Sequence, residues 1–283
     1  LEVTAMVRAV IIKCGNIATS TMVDLLLDET AARDDLEITV IGSGPKMTPR
    51  DTERIARLVP SLEPQMVVVC GPNVGSPGMV SLRKALAGLA VPRIMISDGP
   101  SKKVKQELEK DGFGYLIMDA DPLIGARREF LDPTEMAIFN ADVTKVLAVV
   151  GSFRAVQDEL DKTIEALKRG EAYLPRAEVS DSYSLPKAGF SNPYARSKAA
   201  VAFGLLEAAA QMNYRACFVE KEMKKYVRLA ASAHEAVRTA AKMADEAREL
   251  EKGTDTVLRT PHSKSGKILK KRALLARPKG GAQ

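Results

Sequence analysis

Two adjacent guanidinium groups, Arg127 and Arg128, stand on what reads as a loop just ahead of a sharply specified helix start. Asp132 is an N-cap residue, Pro133 takes the first helical position, and Glu135 falls where the acid of a capping box belongs. The pair also follows the last of a series of short apolar strands. In an open parallel sheet that junction lies beside the ligand crevice. Paired arginines held there suit a carboxylate or a phosphate, and Phe130 offers a flat face to a ring. The competing reading makes them surface arginines neutralised by Glu129 and Asp132, an interaction of little energy.

Four more turns could carry chemistry, each closing a short apolar run: Cys14-Gly15-Asn16, Gly42-Ser43-Gly44-Pro45-Lys46, Gly71-Pro72-Asn73 and Ser97-Asp98-Gly99-Pro100. Glycine lets backbone N–H groups approach phosphate or carbonyl oxygens, and the helix starts that follow favour anions. Singly, each reads as an ordinary strand-to-helix turn. Together they predict a cleft at the carboxyl edge of a sheet, with Cys14, Gly15, Asn16, Gly71, Pro72, Asn73, Ser97 and Asp98 against a bound cofactor and Arg127, Arg128 and Phe130 against a substrate. The dinucleotide fingerprint is missing. The first turn reads KCGNIATS, and the GSG of Gly42 to Gly44 follows the second run, which is the wrong place.

No residue presents itself as an acid, base or nucleophile. Cys14 at a helix start could have a lowered pKa, but no histidine is near in sequence, and a buried thiol is the commoner state. His234 lies in an alanine-rich helical stretch and reads as packed or surface; His262 falls in a hairpin turn and reads as solvated. Asp98 has two readings, an electrostatic role toward a bound ligand or the cap of a helix beginning near Ser101. Three scattered cysteines and two histidines make neither a disulfide framework nor a metal centre. Catalysis, if present, must come from positioning.

The elements that would hold these residues alternate in type. Val7 to Ile12, Glu37 to Ile41, Met66 to Cys70, Arg93 to Ser97 and Gly114 to Met118 read as strands, continuously apolar as in a sheet buried on both faces. Ile17 to Leu27, Thr48 to Leu58, Met79 to Leu89 and Lys102 to Asp111 read as the intervening helices. The expectation is a Rossmann-like α/β domain over residues 1–132. Residues 133–255 read as a helical domain: one long pattern from Pro133 to Leu167 bent at Gly151 and Ser152, a polar connector from Gly170 to Gly189, a helix from Asn192 and Pro193 to Met212, and an alanine-rich helix from Leu229 to Glu251. Ala216 to Leu229 reads as further extended pieces. Residues 256–283 read as a β-hairpin, Thr256 to Thr260 against Gly266 to Lys270, and a basic tail.

Composition narrows the partners. A net charge of +6 favours anions, but aromatics are only 5% and the basic residues are mixed with acids, so an anionic small molecule is expected rather than nucleic acid. No apolar run reaches the ~20 residues of a bilayer span and no secretory signal opens the chain, so a cytoplasmic protein without a membrane partner is expected.

Several long blocks carry more than pattern: IIKCGNIATSTMVDLLLDE, the CGPN at Cys70 to Asn73, GARREFLDPTEMAIFNADVTKVLA, and SAHEAVRTAAKMADEARELEKGTDTVLRTPH. In order and over almost the whole length, the chain resembles the coenzyme F420-dependent methylenetetrahydromethanopterin dehydrogenases. The resemblance implies an oxidoreductase of methanogenic one-carbon metabolism, moving a hydride reversibly between coenzyme F420 and methenyl/methylene-tetrahydromethanopterin. It implies F420 as a dissociable cosubstrate, no metal, no flavin, a tetrahydromethanopterin-type carrier as substrate, and a homo-oligomer, hexameric in the family. A methenyl carbon is already a stabilised cation, so its reduction needs no protein proton donor. The competing classes are an NADP-dependent dehydrogenase acting on a folate or pterin, and a non-catalytic binding protein for an anionic small molecule.

Overall fold

A computed structural model describes residues 6–122 and 129–280. The sheet is built from β1 (Val7–Cys14), β2 (Leu36–Gly44), β3 (Met66–Cys70), β4 (Arg93–Asp98), β5 (Gly114–Met118) and β6 (Arg176–Val179). Helices α1 (Ala18–Glu29), α2 (Pro49–Ala56), α3 (Pro77–Leu86) and α4 (Lys105–Lys110) connect the first five, with a 3-10 stretch, Gly99–Val104, leading into α4. The helical half holds α5 (Pro133–Val149), α6 (Ser152–Lys168), α7 (Asp181–Ala188), α8 (Pro193–Tyr214) and α9 (Met223–Gly253). A small antiparallel pair, β7 (Leu269–Lys270) and β8 (Lys279–Gly280), ends the described chain.

All six strands are parallel, in the order β2-β1-β3-β4-β5-β6. Alternate residues feed two separate cores. Val7, Ala9, Ile11, Met66, Val68, Ile94, Ile96, Leu116 and Met118 pack with α1, α5, α8 and α9. Val10, Ile12, Val67, Val69, Met95 and Ile117 pack with Ile55, Met79, Leu82 and Leu108 from α2, α3 and α4. Helices on both faces are the reason the strands read as unbroken apolar runs rather than alternating ones. The chain order reverses between β1 and β3, which opens a crevice at their carboxyl ends.

The helical half corrects several expectations. The segment Gly170 to Gly189 is more than a connector: it supplies β6 and α7. With four residues, RAEV, and pairing only to β5, this edge strand needs no apolar run to hold its register. Ala216 to Leu229 is not extended. Arg215–Val219 forms a π-helical turn and α9 begins at Met223, with Tyr226 and Ala230 buried at helical spacing. The hairpin expected around the Pro261 turn appears as two isolated bridges, Arg259 to Lys271 and His262 to Ile268.

The long pattern from Pro133 breaks at Gly151, and α5 and α6 diverge by 68°. Gly151 has φ +95°, and a Cβ there would run into the Ser184 carbonyl. Only glycine satisfies both conditions. The alanine-rich surfaces of α8 and α9 meet each other, Ala195, Ala199, Ala202 and Ala209 against Ala233, Ala240, Ala244 and Ala247, with Phe203, Leu206 and Val237 filling between. Among the described residues no single helix is long and apolar enough to cross a membrane.

Candidate functional site

The turns after β1, β2, β3 and β4 are tied into one surface at the reversal point. Gly15 N–H donates to the Gly44 carbonyl at 3.1 Å, and Gly71 N–H to the Ile96 carbonyl at 3.2 Å. The Ser97 hydroxyl donates to the Gly71 carbonyl at 2.6 Å, and Asn73 N–H to Asp98 Oδ1 at 2.8 Å. A Cβ on Gly71 would stand 2.9 Å from the Cys14 carbonyl, so the turns after β1 and β3 close up only because residue 71 is glycine. The expected convergence of Cys14, Gly15, Asn16, Gly71, Pro72, Asn73, Ser97 and Asp98 is therefore what the geometry displays. Their exposure differs. Asn16 and Asn73 face outward, Gly15 and Pro72 are half-buried, and Cys14, Gly71, Ser97 and Asp98 are buried. Asn73 has φ +42°, a left-handed conformation that asparagine tolerates better than most residues.

Asp98 is neither solvent-facing nor a helix cap. It occupies the N-cap position of the 3-10 stretch, but its side chain makes no capping bond there. It is fully buried, holds the Asn73 amide through Oδ1, and leaves Oδ2 without a partner. Burial pushes its pKa up to about 7; the Asn73 N–H opposes the rise and the nearby Asp121 charge adds to it. The folded state thus binds this proton far more tightly than the unfolded chain. The resulting stabilisation is fully present below the ordinary value of 3.8 and is lost as pH rises through about 7. Asp98→Asn keeps an acceptor for Asn73 and never ionises. Relative to that variant, the parent is expected to lose about 1–3 kcal/mol between about pH 4 and about pH 8. Parallel denaturant titrations of the two proteins with identical pH slopes would reject this.

A second buried carboxylate, Asp121, escaped the sequence reading. It follows β5 in the run Asp119-Ala120-Asp121-Pro122 and accepts from Ala18 N–H at 3.1 Å, Thr19 N–H at 2.8 Å and the Thr19 hydroxyl. It thereby ties the turn after β5 to the start of α1. Burial raises its pKa to about 6 against those three bonds. The available signal was an acid at the carboxyl end of a predicted strand, but its partners lie 103 and 102 residues away.

Beside these turns lies a cavity of about 520 Å³. It is lined by Gly99, Pro100, Lys102 and Lys103 after β4, Asp119 and Asp121 after β5, and Glu207, Gln211, Tyr214 and Arg215 of α8 and the π-helical turn. The volume suits a drug-sized ligand. Lys102 is committed to Asp119 at 2.8 Å and Glu178 at 3.1 Å, and these partners hold its pKa up against burial. Lys103 and Arg215 are exposed and make no ion pair among the described residues. Burial raises the pKa of Glu207, with Asp119 and Asp181 adding to the effect. The cavity thus carries two exposed cations that could meet an anion, Arg215 also interacting electrostatically with Glu220. Sequence reading had no means of joining Lys103 to Arg215 across more than a hundred positions.

Arg127 and Arg128 lie outside the described residues. Phe130, just after them, sets its ring edge-on to His234 at 4.7 Å, and His234 stacks on Phe139 at 4.2 Å. His234 is thus a packing residue; burial lowers its pKa, with Glu135, 3.7 Å from Nδ1, opposing. The Asp132 cap is present, accepting from Glu135 N–H at 2.8 Å. Cys14 is buried, and burial raises its thiol pKa, the opposite of the shift that activates a nucleophile. His262 is not solvated as expected. Its side chain is 3% exposed, with Nε2 2.7 Å from Asp161 Oδ2, because the C-terminal segment folds back onto the sheet.

Comparison with known proteins gives concordant results. A family described as methylene-5,6,7,8-tetrahydromethanopterin dehydrogenase matches residues 7–279. The chain is 49% identical to the F420-dependent methylenetetrahydromethanopterin dehydrogenase of Archaeoglobus fulgidus and 48% identical to that of Methanothermobacter marburgensis, each over 96% of this chain and 99% of the relative. A solved structure of an F420-dependent methylene-tetrahydromethanopterin dehydrogenase, in complex with methylene-tetrahydromethanopterin and coenzyme F420, matches with a TM-score of 0.92. It is 45% identical, covering 97% of this chain and 100% of that one.

Proposed function

The chain belongs to the methylene-5,6,7,8-tetrahydromethanopterin dehydrogenase family, and from that premise we propose that its hydride transfer takes place over the carboxyl ends of β1, β3 and β4, with anionic ligand groups held in the adjoining cavity. The protein is an oxidoreductase that moves a hydride reversibly between coenzyme F420 and methenyl/methylene-tetrahydromethanopterin. The observation that carries the site assignment is the juxtaposition of the knitted turns with a 520 Å³ cavity bearing two exposed cations, Lys103 and Arg215.

The residues present fit a deazaflavin coenzyme with phosphate and carboxylate groups. Lys103 and Arg215 would take the anionic groups, while Gly15, Pro72 and Asn73 would bound the ring. Coenzyme F420, when bound, supplies the hydride or takes it back. The chain's own part is to hold two flat systems in register and keep water out. Asn73 is fixed for this by the Asp98 carboxylate below it, and the turn after β1 by Gly44 and by Asp121. Positioning of this kind supplies on the order of 7–11 kcal/mol of barrier reduction. No proton need move with the hydride, so no side chain has to act as acid or base.

Two expectations follow from this. Gly99 lies on the cavity wall, and a Cβ there would meet nothing within 4 Å. Gly99→Val should therefore fold normally yet raise KM for F420 or for the pterin at least about tenfold, a loss of ~1.4 kcal/mol of binding. Unchanged kinetics for both ligands would place the site elsewhere. Cys14→Ala and His234→Gln, in contrast, should each keep kcat within about tenfold of the parent. If either variant lost several orders in kcat with both ligands still bound, a protein group would be taking part in the chemistry.

A further inference from the structure

In doubly wound folds the first helix starts beside the point where strand order reverses, and its orphan N–H groups hold the pyrophosphate of a dinucleotide. Here that position is occupied by the protein itself. The first two amides of α1, Ala18 and Thr19, both donate to Asp121, and the Thr19 hydroxyl donates to the same carboxylate. Ile17, Ala18 and Thr19 are all buried, at 1%, 0% and 0% exposure, and Asp121 is at 2%. We infer that Asp121 is a built-in anion that fills the pyrophosphate position and makes this oxidoreductase refuse nicotinamide dinucleotides.

Three observations converge on this assignment. α1 carries no acidic residue in its first turn, so the whole counter-charge to its N-terminus comes from Asp121 in the turn after β5. The turn after β1 has one glycine, Gly15, where close approach of a pyrophosphate needs several. The end of β2, Ile41-Gly42-Ser43-Gly44, has no acid to take a ribose hydroxyl. An incoming pyrophosphate would meet amides already satisfied and a buried like charge. Asp98, nearby, is also a carboxylate, and the two interact unfavourably. Anionic groups are directed instead to Lys103 and Arg215 on the cavity wall.

The inference rests on the site assignment above only in placing the ligand cleft beside α1, and its test does not use F420. Hydrogen exchange of the unaltered protein, followed in the peptide spanning Gly15 to Ser20, should be unchanged by inorganic pyrophosphate or by NADP+. Slowed exchange of the Ala18 and Thr19 amides with either probe would overturn the inference without any mutant. Asp121→Ser shortens the side chain, removes the charge and frees the amides. Their exchange should quicken, and pyrophosphate should slow it again, binding at least about tenfold more tightly than to the parent. A folded Asp121→Ser protein with the parent's affinity for pyrophosphate would also overturn it. If the coenzyme lies elsewhere, the Gly99→Val result fails while the pyrophosphate result stands, so the two errors are separable.

Discussion

Replacing Arg33 by Met is expected to destabilise the fold by about 3–5 kcal/mol at neutral pH. Arg33 lies just ahead of β2 with its side chain 2% exposed. It grips Asp35 with two bonds, Nε to Oδ1 at 2.9 Å and NH2 to Oδ2 at 2.8 Å, and reaches Asp161 of α6 with NH1 at 3.1 Å. Lys168 closes on Asp35 at 2.6 Å and His262 on Asp161 at 2.7 Å. Truncating the arginine leaves two buried carboxylates with one cation and one histidine between them. That uncompensated charge accounts for most of the cost. The effect depends on pH with a definite sign. Burial works to raise the pKa of Asp35, but Arg33 and Lys168 outweigh it and bring the value down to about 2. The ion-pair stabilisation is therefore present above the ordinary 3.8 and lost as pH falls through about 2. The parent and Arg33→Met stability curves should draw together in acid. A cost below about 1 kcal/mol, or a gap that does not narrow between about pH 4 and about pH 2, would show that the cluster does not bind the C-terminal segment to the sheet.

Periodicity alone could not have shown that cluster. His262 sits in a Pro-His-Ser-Lys-Ser turn whose composition reads as solvated, yet the segment returns to the amino edge of the sheet. Asp34 N–H donates to the Lys264 carbonyl, and a Cβ on Gly266 would run into the Asp35 carboxylate. A polar composition is compatible with burial once charges are paired, and pairing across more than a hundred residues has no local signature. The strands show the opposite case. β3, β4 and β5 have every residue buried, so their short apolar runs announced them almost to the residue. β6 went unseen because an edge strand can be held by backbone pairing with few apolar side chains.

The candidate site was legible to the same uneven degree. Turn glycines and asparagines at the ends of strands mark where backbone must bend sharply, and the architecture then places them on one edge. Asn73 and Gly71 were readable for that reason. Asp121, Lys103 and Arg215 were not, because their meaning lies in what faces them: an α1 N-terminus in one case, a shared cavity in the others. Asp98 is buried beneath Asn73, where it supports that turn; its side chain makes no capping bond, so the helix-cap reading fails.

The largest functional effect is expected at Arg127 and Arg128. Both lie outside the described residues, so the prediction rests on their place in the sequence. Asp121, just before that stretch, lines the cavity and is fixed to α1. Phe130, just after it, is held against His234, and Asp132 caps α5. A charge-assisted bond from a guanidinium to phosphate or carboxylate is worth about 1.5–3 kcal/mol. Loss of one such bond should raise KM for the affected ligand about 10- to 100-fold. The effect should fall on binding, with kcat close to the parent's, because an anionic tail is held equally before and during hydride transfer. Lysine should restore only part of the affinity, since it supplies the charge without the planar fork. Arg127→Ala and Arg128→Ala should be measured separately, against both F420 and the pterin, since only one arginine need face the ligand. Had both been ordinary surface residues, each change would cost under about 1 kcal/mol of stability and leave both KM values where they were. That outcome in both variants, with the fold intact, would remove the paired arginines from the site and leave Lys103 and Arg215 as its only proposed anion-binding groups.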